Sequence, residues 1–395
     1  MHLKNLPQTK CFLRNFKNIH YPSNDVGNDK IIVSGIQPTG NFHIGNYFGA
    51  INSWVKIQNN YCNKKNIYYF IADLHAITKY QDPSKLKFNI CKSIATLLAC
   101  GIDPDKVILF QQSNVKEHAE LCWILSCFTT LAKLNYMPVW KEKGEDSYDN
   151  EEVKKGGTSL SLFSYPVLQA ADILLYKATH VPIGEDQLWH LHLTQHLVQK
   201  FNNIYKKDYF TVPKPLLGKI TRVKALRNPV LKMSKSDSNI NNRIELLDEP
   251  DEIRRKINKA FTDSNIPSGS LVFSYPYHKD QSKSPEITGL QNLFNIYTTL
   301  KFPDHNFEIS NMESTEITFD SVKHMKEEIS HLLIKELLPI RTKILDLLPH
   351  DPENNKIMDD KKFMNLCDII NEGSELAKVV ASRNLVEIKN LIGFL

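Results

Sequence analysis

The sequence has no long apolar run, since no uninterrupted stretch approaches the roughly 20 residues that a membrane-spanning helix requires. It also lacks paired cysteines: its seven cysteines are scattered, odd in number and never spaced as Cys-x-x-Cys. This pattern excludes a disulfide framework and a zinc knuckle, and it indicates reduced thiols in a reducing compartment. With 395 residues, 42% hydrophobic and 24% charged, the composition is that of a soluble globular protein of two or three domains, with no membrane partner.

Acidic residues are missing from the amino terminus, where the first is Asp25. On a helical projection Lys10, Arg14 and Lys17 share one face, and apolar residues occupy the opposite one. A cationic, acid-poor, amphipathic segment is typical of a mitochondrial import signal, so we predict a targeting segment over residues 1–28 and a location in the mitochondrial matrix. The alternative is an unstructured basic tail that contacts RNA. The net charge of +5 permits a polyanionic partner without requiring one.

Two familiar glycine signatures of nucleotide binding are also missing. The stretch Pro38–Asn46, PTGNFHIGN, contains neither Gly-x-Gly-x-x-Gly nor a Walker Gly-Lys-Ser/Thr. It nevertheless joins a strand-forming run, IIVSG, to an apolar segment, NYFGAINSWV. Two glycines and a histidine at such a junction indicate a phosphate or nucleotide cradle.

Short buried strands alternate with helical stretches from Lys30 onward, in the runs KIIVSG, IYYFIAD and KVILFQQS. This alternation predicts an α/β fold with a parallel sheet and ligands at the carboxyl ends of its strands. We predict a helical segment from about Glu117 to Trp140 and a long helix from Asp186 past Phe201. After about residue 245 the pattern predicts helices alone, with a break at Pro339.

The heptapeptide Leu231–Asp237, LKMSKSD, places two lysines and two serines on a polar loop. Such a loop suits a triphosphate, whose charge must be neutralised as it reacts, although most Lys/Ser loops are only solvated surface. Together with HIGN at His43–Asn46, however, this loop resembles the class I aminoacyl-tRNA synthetases. Their two signatures are a HIGH-type turn and a KMSKS loop, the second being intact at residues 232–236.

A third segment, Ser164–Tyr176, is apolar except for one stripe at helical spacing, formed by Tyr165, Gln169, Asp172 and Tyr176. A helix of this kind is buried, with its stripe lining a cavity. A buried aspartate needs a donor, and an indole N–H is a group that only donates. The alternative is a stripe that faces solvent, with Asp172 in water.

With these motifs the chain resembles the tryptophanyl-tRNA synthetases, through SGIQPTG, IADLHAIT, YPVLQAADILLY, GEDQ and the last helix. The resemblance runs from about Ile31 to the end. It implies a Rossmann-like catalytic domain over 29–244 with a helical insertion at about 113–178, then an all-helical tRNA anticodon-binding domain over 245–395. It also implies ATP with Mg²⁺, L-tryptophan and tRNA(Trp) as partners, no other cofactor, and a homodimer.

The same resemblance implies the site residues. Those of the ATP site are Gln37, Pro38, Thr39, Gly45, Asn46, Gly184, Glu185, Asp186, Val223, Lys232, Met233, Ser234, Lys235 and Ser236. Those of the tryptophan pocket are Asp172, Tyr165, Gln169, His75 and Gln187, and Lys141 and Lys143 match mobile lysines near the pyrophosphate. Gln169 stands where many bacterial members carry methionine, and Asn46 replaces the second histidine of the class signature.

The predicted chemistry needs no general base, because the substrate carboxylate is already ionised at neutral pH. Catalysis then reduces to alignment and to neutralising the charge that grows on the pyrophosphate. We expect His43, Lys232 and Lys235, with Mg²⁺, to be the catalytic cations or donors. No residue is predicted as a protein ligand of a metal.

Other basic residues and histidines carry less information. His190, His192 and His196 do not converge on one helix face, so we predict surface histidines and not a metal site. Arg254, Arg255 and Lys256 form a basic run that touches RNA or is simply solvated, and Lys378, Arg383 and Lys389 are candidates for the anticodon arm. Two alternatives to the tryptophan enzyme are the tyrosine enzyme and an RNA-binding protein that kept the fold and lost catalysis.

Overall fold

Strand β1 (Ile32–Ile36) lies in the middle of a parallel sheet of five strands. The computed structural model describes residues 30–60, 66–137, 159–216, 223–235, 237–262, 270–275, 288–302, 315–349 and 360–394. The other strands of this sheet are β2 (Ile67–Ile71), β3 (Ile108–Gln111), β4 (His180–Pro182) and β5 (Lys214–Leu216), in the order β3-β2-β1-β4-β5. The order reverses beside β1, and such a switch point is where α/β sheets bind ligands. The predicted Rossmann-like fold is therefore confirmed.

The helices connect and cover these strands. In chain order they are α1 (Ile44–Asn46), α2 (Asn52–Asn60), α3 (Asp73–Ala76), α4 (Pro83–Ala99), α5 (Glu117–Ser126), α6 (Leu131–Asn135), α7 (Leu160–Leu174), α8 (Leu188–Tyr205), α9 (Pro250–Asn258), α10 (Thr288–Lys301), α11 (Val322–Leu347) and α12 (Lys361–Ile392). A π-helical turn, Tyr47–Ile51, joins α1 to α2, and short 3-10 turns lie at Gln112–Asn114, Glu185–Gln187 and Ile240–Asn242.

Alternate residues of the central strands feed two hydrophobic clusters, one on each face of the sheet. Ile32 and Tyr69 belong to the cluster that contains residues of α4, α10 and α11, whereas Val33 and Phe70 belong to the one that contains residues of α7 and α8. Full burial of each such side chain contributes roughly 1.5–3 kcal/mol to folding. The two-sided burial explains why β2 reads as a continuous apolar run.

The carboxy-terminal region is mostly helical, and the prediction of helices alone was wrong in one respect. Strands β6 (Leu271–Tyr275) and β7 (Thr315–Phe319) form an antiparallel pair. The ring of Phe273 stacks on Phe294 of α10 at 4.3 Å between centroids. Each strand is only five residues long and has its apolar side chains on one side, so the pair packs as a small sheet against α10.

The predicted helical segment from Glu117 to Trp140 consists of two helices, α5 and α6, and its last three residues lie outside the described part of the chain. The break predicted at Pro339 is wrong. Helix α11 runs through Pro339 without ending there. Its apolar stripe continues past the proline, and Ile340 and Ile344 are buried.

Helix α12 packs directly on β3 through a glycine. A Cβ at Gly373 would lie 1.9 Å from the carbonyl oxygen of Leu109, so only glycine permits this approach. Ser374, next to it, lies inside α12, and its hydroxyl donates to the carbonyl of Ile370 at 2.7 Å. The cap of α12 is Asp360, whose carboxylate accepts the N–H groups of the first turn.

The predicted targeting segment, residues 1–28, lies outside the described residues, as do Lys141, Lys143 and Ser236. Within the described ranges no helix is both long and apolar enough to cross a membrane.

Candidate active site

A cavity of about 660 Å³ opens at the carboxyl ends of β1, β2 and β4, beside the switch point of the sheet. Its size is within the usual range for a small-molecule site. The predicted site residues that line it are Gln37, His43, Gly45, Asn46, His75, Tyr165, Gln169, Asp172, Gly184, Asp186, Gln187, Val223, Lys232 and Met233. Residues from five separate segments of the sequence thus meet in one place.

Some predicted residues are placed differently. Pro38, Thr39, Ser234 and Lys235 are described but are not among the residues that line the cavity. The backbone of Glu185 lies in the 3-10 turn before α8, and its side chain is outside what the structure describes.

The HIGN turn links β1 to α1 through a compact hydrogen-bonded cap. The side-chain oxygen of Asn46 accepts the backbone N–H of His43 at 3.2 Å, and the N–H of Ile44 donates to the carbonyl of Ile244 at 2.9 Å. A Cβ at Gly45 would lie 2.9 Å from the His43 imidazole. Glycine is therefore required for the ring of His43 to lie where it does.

His43 is buried, and among the described residues its Nδ1 atom has no hydrogen-bond partner. Burial, helped by the charges of Lys235, Arg243 and Lys232, lowers the pKa of His43 to about 3. The imidazole is thus neutral at physiological pH. The predicted catalytic role of His43, as a cation or a donor, stays a prediction, and the lowered pKa favours the neutral donor.

The KMSKS segment is anchored at one side of the cavity by its methionine. The N–H of Met233 donates to the carbonyl of Val223 at 3.3 Å, and the Met233 side chain is buried. The ammonium group of Lys232 lies 3.3 Å from a carboxylate oxygen of Asp186, with 65% of the lysine side chain exposed. An exposed pair of this kind contributes little to stability, so Lys232 is free to exchange this partner for a ligand anion.

Lys235 lies against the nucleotide turn. Its ammonium group is 3.7 Å from the centroid of the Phe42 ring and donates to the carbonyl of Gln37 at 3.2 Å. Burial and the charge of Lys92 lower the pKa of Lys235 to about 7. An anionic ligand here would favour the protonated form.

Asp172 lines the same cavity but, among the described residues, shares no hydrogen-bond partner with the HIGN turn or the lysines, so its surroundings form a separate end of the lining. It is almost fully buried, so the solvent-facing alternative was wrong. Its Oδ2 atom accepts from His75 Nε2 at 2.7 Å, and its Oδ1 atom accepts from His118 Nδ1 at 2.6 Å and from Gln112 Nε2 at 2.7 Å. Burial acts to raise the pKa of Asp172, but the hydrogen bonds from His118 and His75 outweigh it and lower the pKa to about 2. The carboxylate is therefore ionised although it is buried.

The amino-acid sequence accounts for where these partners lie. His75 is on α3, which directly follows β2, and the N–H of Ala72 before it donates to the carbonyl of Ile36 in β1 at 2.9 Å. Gln112 follows β3 in the same way. Parallel strands thus bring both side chains to the carboxyl edge, where α7 carries Asp172.

The profile of the family described as tRNA synthetases class I (W and Y) matches residues 26–330. A tryptophan–tRNA ligase from Rickettsia bellii is 41% identical over 367 residues, which are 92% of this chain and 99% of the relative. The chain belongs to the tryptophanyl-tRNA synthetase family. It is accordingly an enzyme, an aminoacyl-tRNA ligase.

Two further proteins that are similar to this chain are informative. The mitochondrial tryptophan–tRNA ligase of Saccharomyces cerevisiae is 36% identical over 371 residues, covering 92% of this chain and 90% of that protein. The structure of tryptophanyl-tRNA synthetase from Campylobacter jejuni complexed with ADP and tryptophan superposes with a TM-score of 0.67 at 30% identity, covering 92% of this chain and 99% of the other.

Sequence reasoning missed three polar residues of this synthetase. His118 and Gln112, which bond Asp172, were not predicted, and His190 was taken for a surface residue. His190 is in fact fully buried and bonds the hydroxyl of Tyr165 at 2.8 Å, whereas His192 and His196 are exposed. The available signal was helical spacing, since His118 shares its face of α5 with the buried Leu121 and Leu125.

Most of the basic residues considered for RNA contact are paired within the chain. Arg254 and Arg255 pair with Asp251 and Glu252 on the same helix. Lys256 is buried and pairs with Asp248 at 2.6 Å, so it cannot reach a nucleic acid. On α12, Lys389 pairs with Glu120 of α5 and Lys378 lies near Glu375.

Proposed function

We propose that this chain is a tryptophan–tRNA ligase that joins L-tryptophan to ATP, releasing pyrophosphate, and then transfers tryptophan from the adenylate to the 3′ end of tRNA(Trp). The observation that supports this proposal is the set of side chains that line one cavity. A glycine-bearing turn and a lysine loop lie at one end of it, and an ionised, buried acceptor, Asp172, lies at the other.

The amino-acid end suits an indole. The carboxylate of Asp172 has room for one more hydrogen bond at Oδ2, where the ring N–H of tryptophan would donate. His75 and Tyr165 pack edge to face at 6.3 Å between centroids beside it, giving the aromatic wall of the pocket. Gln169 and Gln187 line the same cavity and supply further polar contacts.

The nucleotide end suits a triphosphate. His43 Nδ1 is buried without a partner among the described residues, and a ligand oxygen or hydroxyl would satisfy it. Lys232 and Lys235 supply two cations whose contacts with the described residues are weak or neutral. The tryptophan carboxylate attacks the α-phosphorus, the bond to the β-phosphate oxygen breaks, and the lysines neutralise the charge that develops on the leaving pyrophosphate.

Mg²⁺ belongs to the substrate in this proposal. Within the described residues no group of three His, Cys, Asp or Glu side chains could hold a metal ion, and the charged side chains of the KMSKS segment are lysines. The ion would therefore arrive bound to ATP and share its charge neutralisation with the lysines. The predicted roles of Gly184, Asp186 and Val223 at the nucleotide stay proposals, supported by their position in the lining.

The deciding experiment is ATP–pyrophosphate exchange with each of the twenty amino acids in turn. We expect exchange with tryptophan only. Exchange with tyrosine instead would favour the tyrosine enzyme, because a buried acceptor built for one ring donor discriminates strongly between indole and phenol. A Lys232→Ala variant that exchanges tryptophan as fast as the wild type would support the alternative of a non-catalytic RNA-binding protein.

We also propose a homodimer. Helices α5, α6 and α8 all contact α7, and together these four helices expose large apolar side chains. Trp123 is 75% exposed, Leu131 72% and Leu160 76%. A second copy of the chain would cover them. Sedimentation velocity should give twice the monomer mass for the wild type, and a Leu160→Glu variant should sediment as a monomer.

We further propose that the chain works in mitochondrial translation. The acid-poor cationic segment before Asp25 and the similarity to the yeast mitochondrial enzyme support this location. Import of the full chain into isolated mitochondria, with loss of import when Lys10, Arg14 and Lys17 are changed to glutamine, would test it. Retention of import by that variant would refute it.

A further inference from the structure

The two oxygens of the Asp172 carboxylate accept different numbers of hydrogen bonds. Oδ1 accepts two hydrogen bonds, from His118 and Gln112, whereas among the described residues Oδ2 accepts one, from His75. A carboxylate has about two acceptor sites on each oxygen. Oδ1 is therefore saturated, and Oδ2 keeps one free site. Asp172 and His75 line the cavity, while His118 and Gln112 are 0% exposed and lie behind them.

His118 is itself fixed by a second buried group. Its Nε2 atom lies 2.8 Å from the hydroxyl of Tyr176. Because a carboxylate only accepts, the hydrogen between His118 and Asp172 belongs to Nδ1 of the imidazole. Burial raises the pKa of Tyr176 well above its usual value, so its phenol keeps its hydrogen, which a neutral imidazole with its own hydrogen on Nδ1 accepts at Nε2. The order of donation is then Tyr176 to His118 to Asp172.

Neither side chain of this relay has room to turn. The His118 ring lies 5.8 Å, between centroids, from both Phe70 and Phe110. The ring of Tyr176 stacks on Tyr68 at 4.4 Å. Gln112 is fixed too, since its side-chain oxygen accepts the N–H of Leu74 at 3.2 Å, which sets the direction of its amide. A packed relay with complete hydrogen bonds holds one orientation of the group at its end.

We propose that His118, locked by the hydroxyl of Tyr176, is a positioning residue for specificity: it occupies Oδ1 of Asp172 so that the carboxylate offers Oδ2 alone to a ring N–H of the bound amino acid. This inference rests on the proposed role of Asp172 as the indole acceptor. His118 acts through Asp172 and does not touch the substrate.

The test compares tryptophan with β-(3-benzothienyl)-L-alanine, in which sulfur replaces the indole N–H, in ATP–pyrophosphate exchange. For Tyr176→Phe we expect kcat/KM to fall about tenfold with tryptophan, mainly through a higher KM, and to stay unchanged with the analogue. The preference for tryptophan then falls by the same factor. Tyr209→Phe is the matched control, because it also removes a buried hydroxyl, which contacts the carbonyl of Asn384 at 2.9 Å and the carboxylate of Glu387 at 3.0 Å and, among the described residues, no member of the relay. It should leave the preference unchanged.

Two substitutions of His118 sharpen the test. His118→Asn keeps an N–H close to the position of Nδ1 and should retain most of the preference, whereas His118→Leu keeps no donor and should lower it about a hundredfold. If Tyr176→Phe and His118→Leu reduce activity equally with both amino acids, the relay is only structural and the inference is wrong. If the leucine variant does not fold, Tyr176→Phe decides alone.

The Asp172→Asn variant separates this inference from the proposed function. If it leaves the preference for tryptophan over the analogue intact, Asp172 is not the acceptor of the indole N–H. The proposed role of Asp172 and the inference about His118 are then both wrong. If it abolishes the preference while the variants of Tyr176 and His118 keep it, only the inference about His118 fails.

Discussion

The two ends of the cavity are built in opposite ways. At the amino-acid end, Asp172 is buried and already holds three donors before any ligand arrives. At the nucleotide end, His43 Nδ1 lacks a partner among the described residues and Lys232 is mostly exposed, while Lys235, just outside the cavity lining, lies on the ring of Phe42. The hydrogen bonds that position Asp172 are in place before its ligand binds, whereas His43 and the two lysines obtain their partners from the ligand.

The difference follows from what each ligand brings. An indole offers one neutral N–H, which is too weak a group to reorganise its surroundings, so selectivity requires an acceptor fixed in advance. A triphosphate brings several negative charges, and charge-assisted contacts are strong enough to move flexible lysines from weak partners. Substitutions at the first end should therefore change which amino acid is used, and those at the second should change how fast it reacts.

The largest effect is expected for Asp172→Asn. The amide would turn an N–H toward donors that already point at it, and it would offer one acceptor instead of two. We expect kcat/KM for tryptophan to fall about a thousandfold, with the KM for ATP within about twofold of the wild type. Exchange kinetics at varied tryptophan and varied ATP measure both.

A loss shared equally by tryptophan and ATP would break the proposed separation of the two ends. Circular dichroism and thermal melting of the Asp172→Asn protein serve as the control for folding. The conservative change keeps the volume of the side chain, so cavity formation cannot explain a loss of activity.

The next effect is expected for Lys235→Ala at the other end. Loss of a cation that stabilises the leaving pyrophosphate should lower kcat about a hundredfold and leave the KM for tryptophan unchanged. Lys259→Ala is the matched control, since Lys259 is an exposed lysine at the end of α9 and should be silent. A raised KM for tryptophan with an unchanged kcat would place Lys235 at the wrong end of the cavity.

A smaller effect on activity is expected for Gly373→Ala, far from both ligands. The new Cβ would meet the Leu109 carbonyl at 1.9 Å, so α12 or β3 must shift, at a cost of about 3 kcal/mol in the free energy of unfolding. Because β3 leads into Gln112, we expect the KM for tryptophan to rise about threefold and the KM for ATP to stay constant. Urea unfolding and exchange kinetics measure the two effects.

Val379→Ala controls for the helix itself, because Val379 is a 40% exposed residue of α12. It should change neither KM. If Gly373→Ala raises the KM for ATP as much as that for tryptophan, the two ends are mechanically coupled through the sheet and are not separate.

The sequence predicted the side chains that line both ends of the cavity better than the hydrogen bonds that hold Asp172 from behind. HIGN and KMSKS are contiguous peptides, so their turn, anchor and cations can be recognised locally. The residues around Asp172 come from α3, α5, α7 and the end of β3, which are far apart in the sequence. The sequence near His118 or Gln112 therefore contains no pattern that predicts a hydrogen bond to Asp172. The same limit applies to Gly373, since only the contact of α12 with Leu109 in the folded chain explains why this residue is a glycine.

Without any substitution the two ends should also differ in pH dependence, because they carry different titrating groups. Lys235, with a pKa of about 7, is protonated below that pH and loses its charge above it. ATP favours the protonated form, so the KM for ATP should rise about threefold to tenfold between pH 7 and pH 8.5. The pKa of Asp172 is about 2, so the KM for tryptophan should stay flat over the same range.

Lys235→Arg isolates the group responsible, because a guanidinium stays charged throughout this range. Two neighbouring groups do not change their charge between pH 7 and pH 8.5. His43, with a pKa of about 3, stays neutral. Asp186 stays ionised, because burial acts to raise its pKa but the charge of Lys232 outweighs this and lowers it. The arginine variant should bind ATP with a KM that no longer depends on pH. A KM for ATP that still rises in this variant would assign the titration elsewhere, and Lys235 would then meet the triphosphate as a cation whose charge the surrounding residues do not tune.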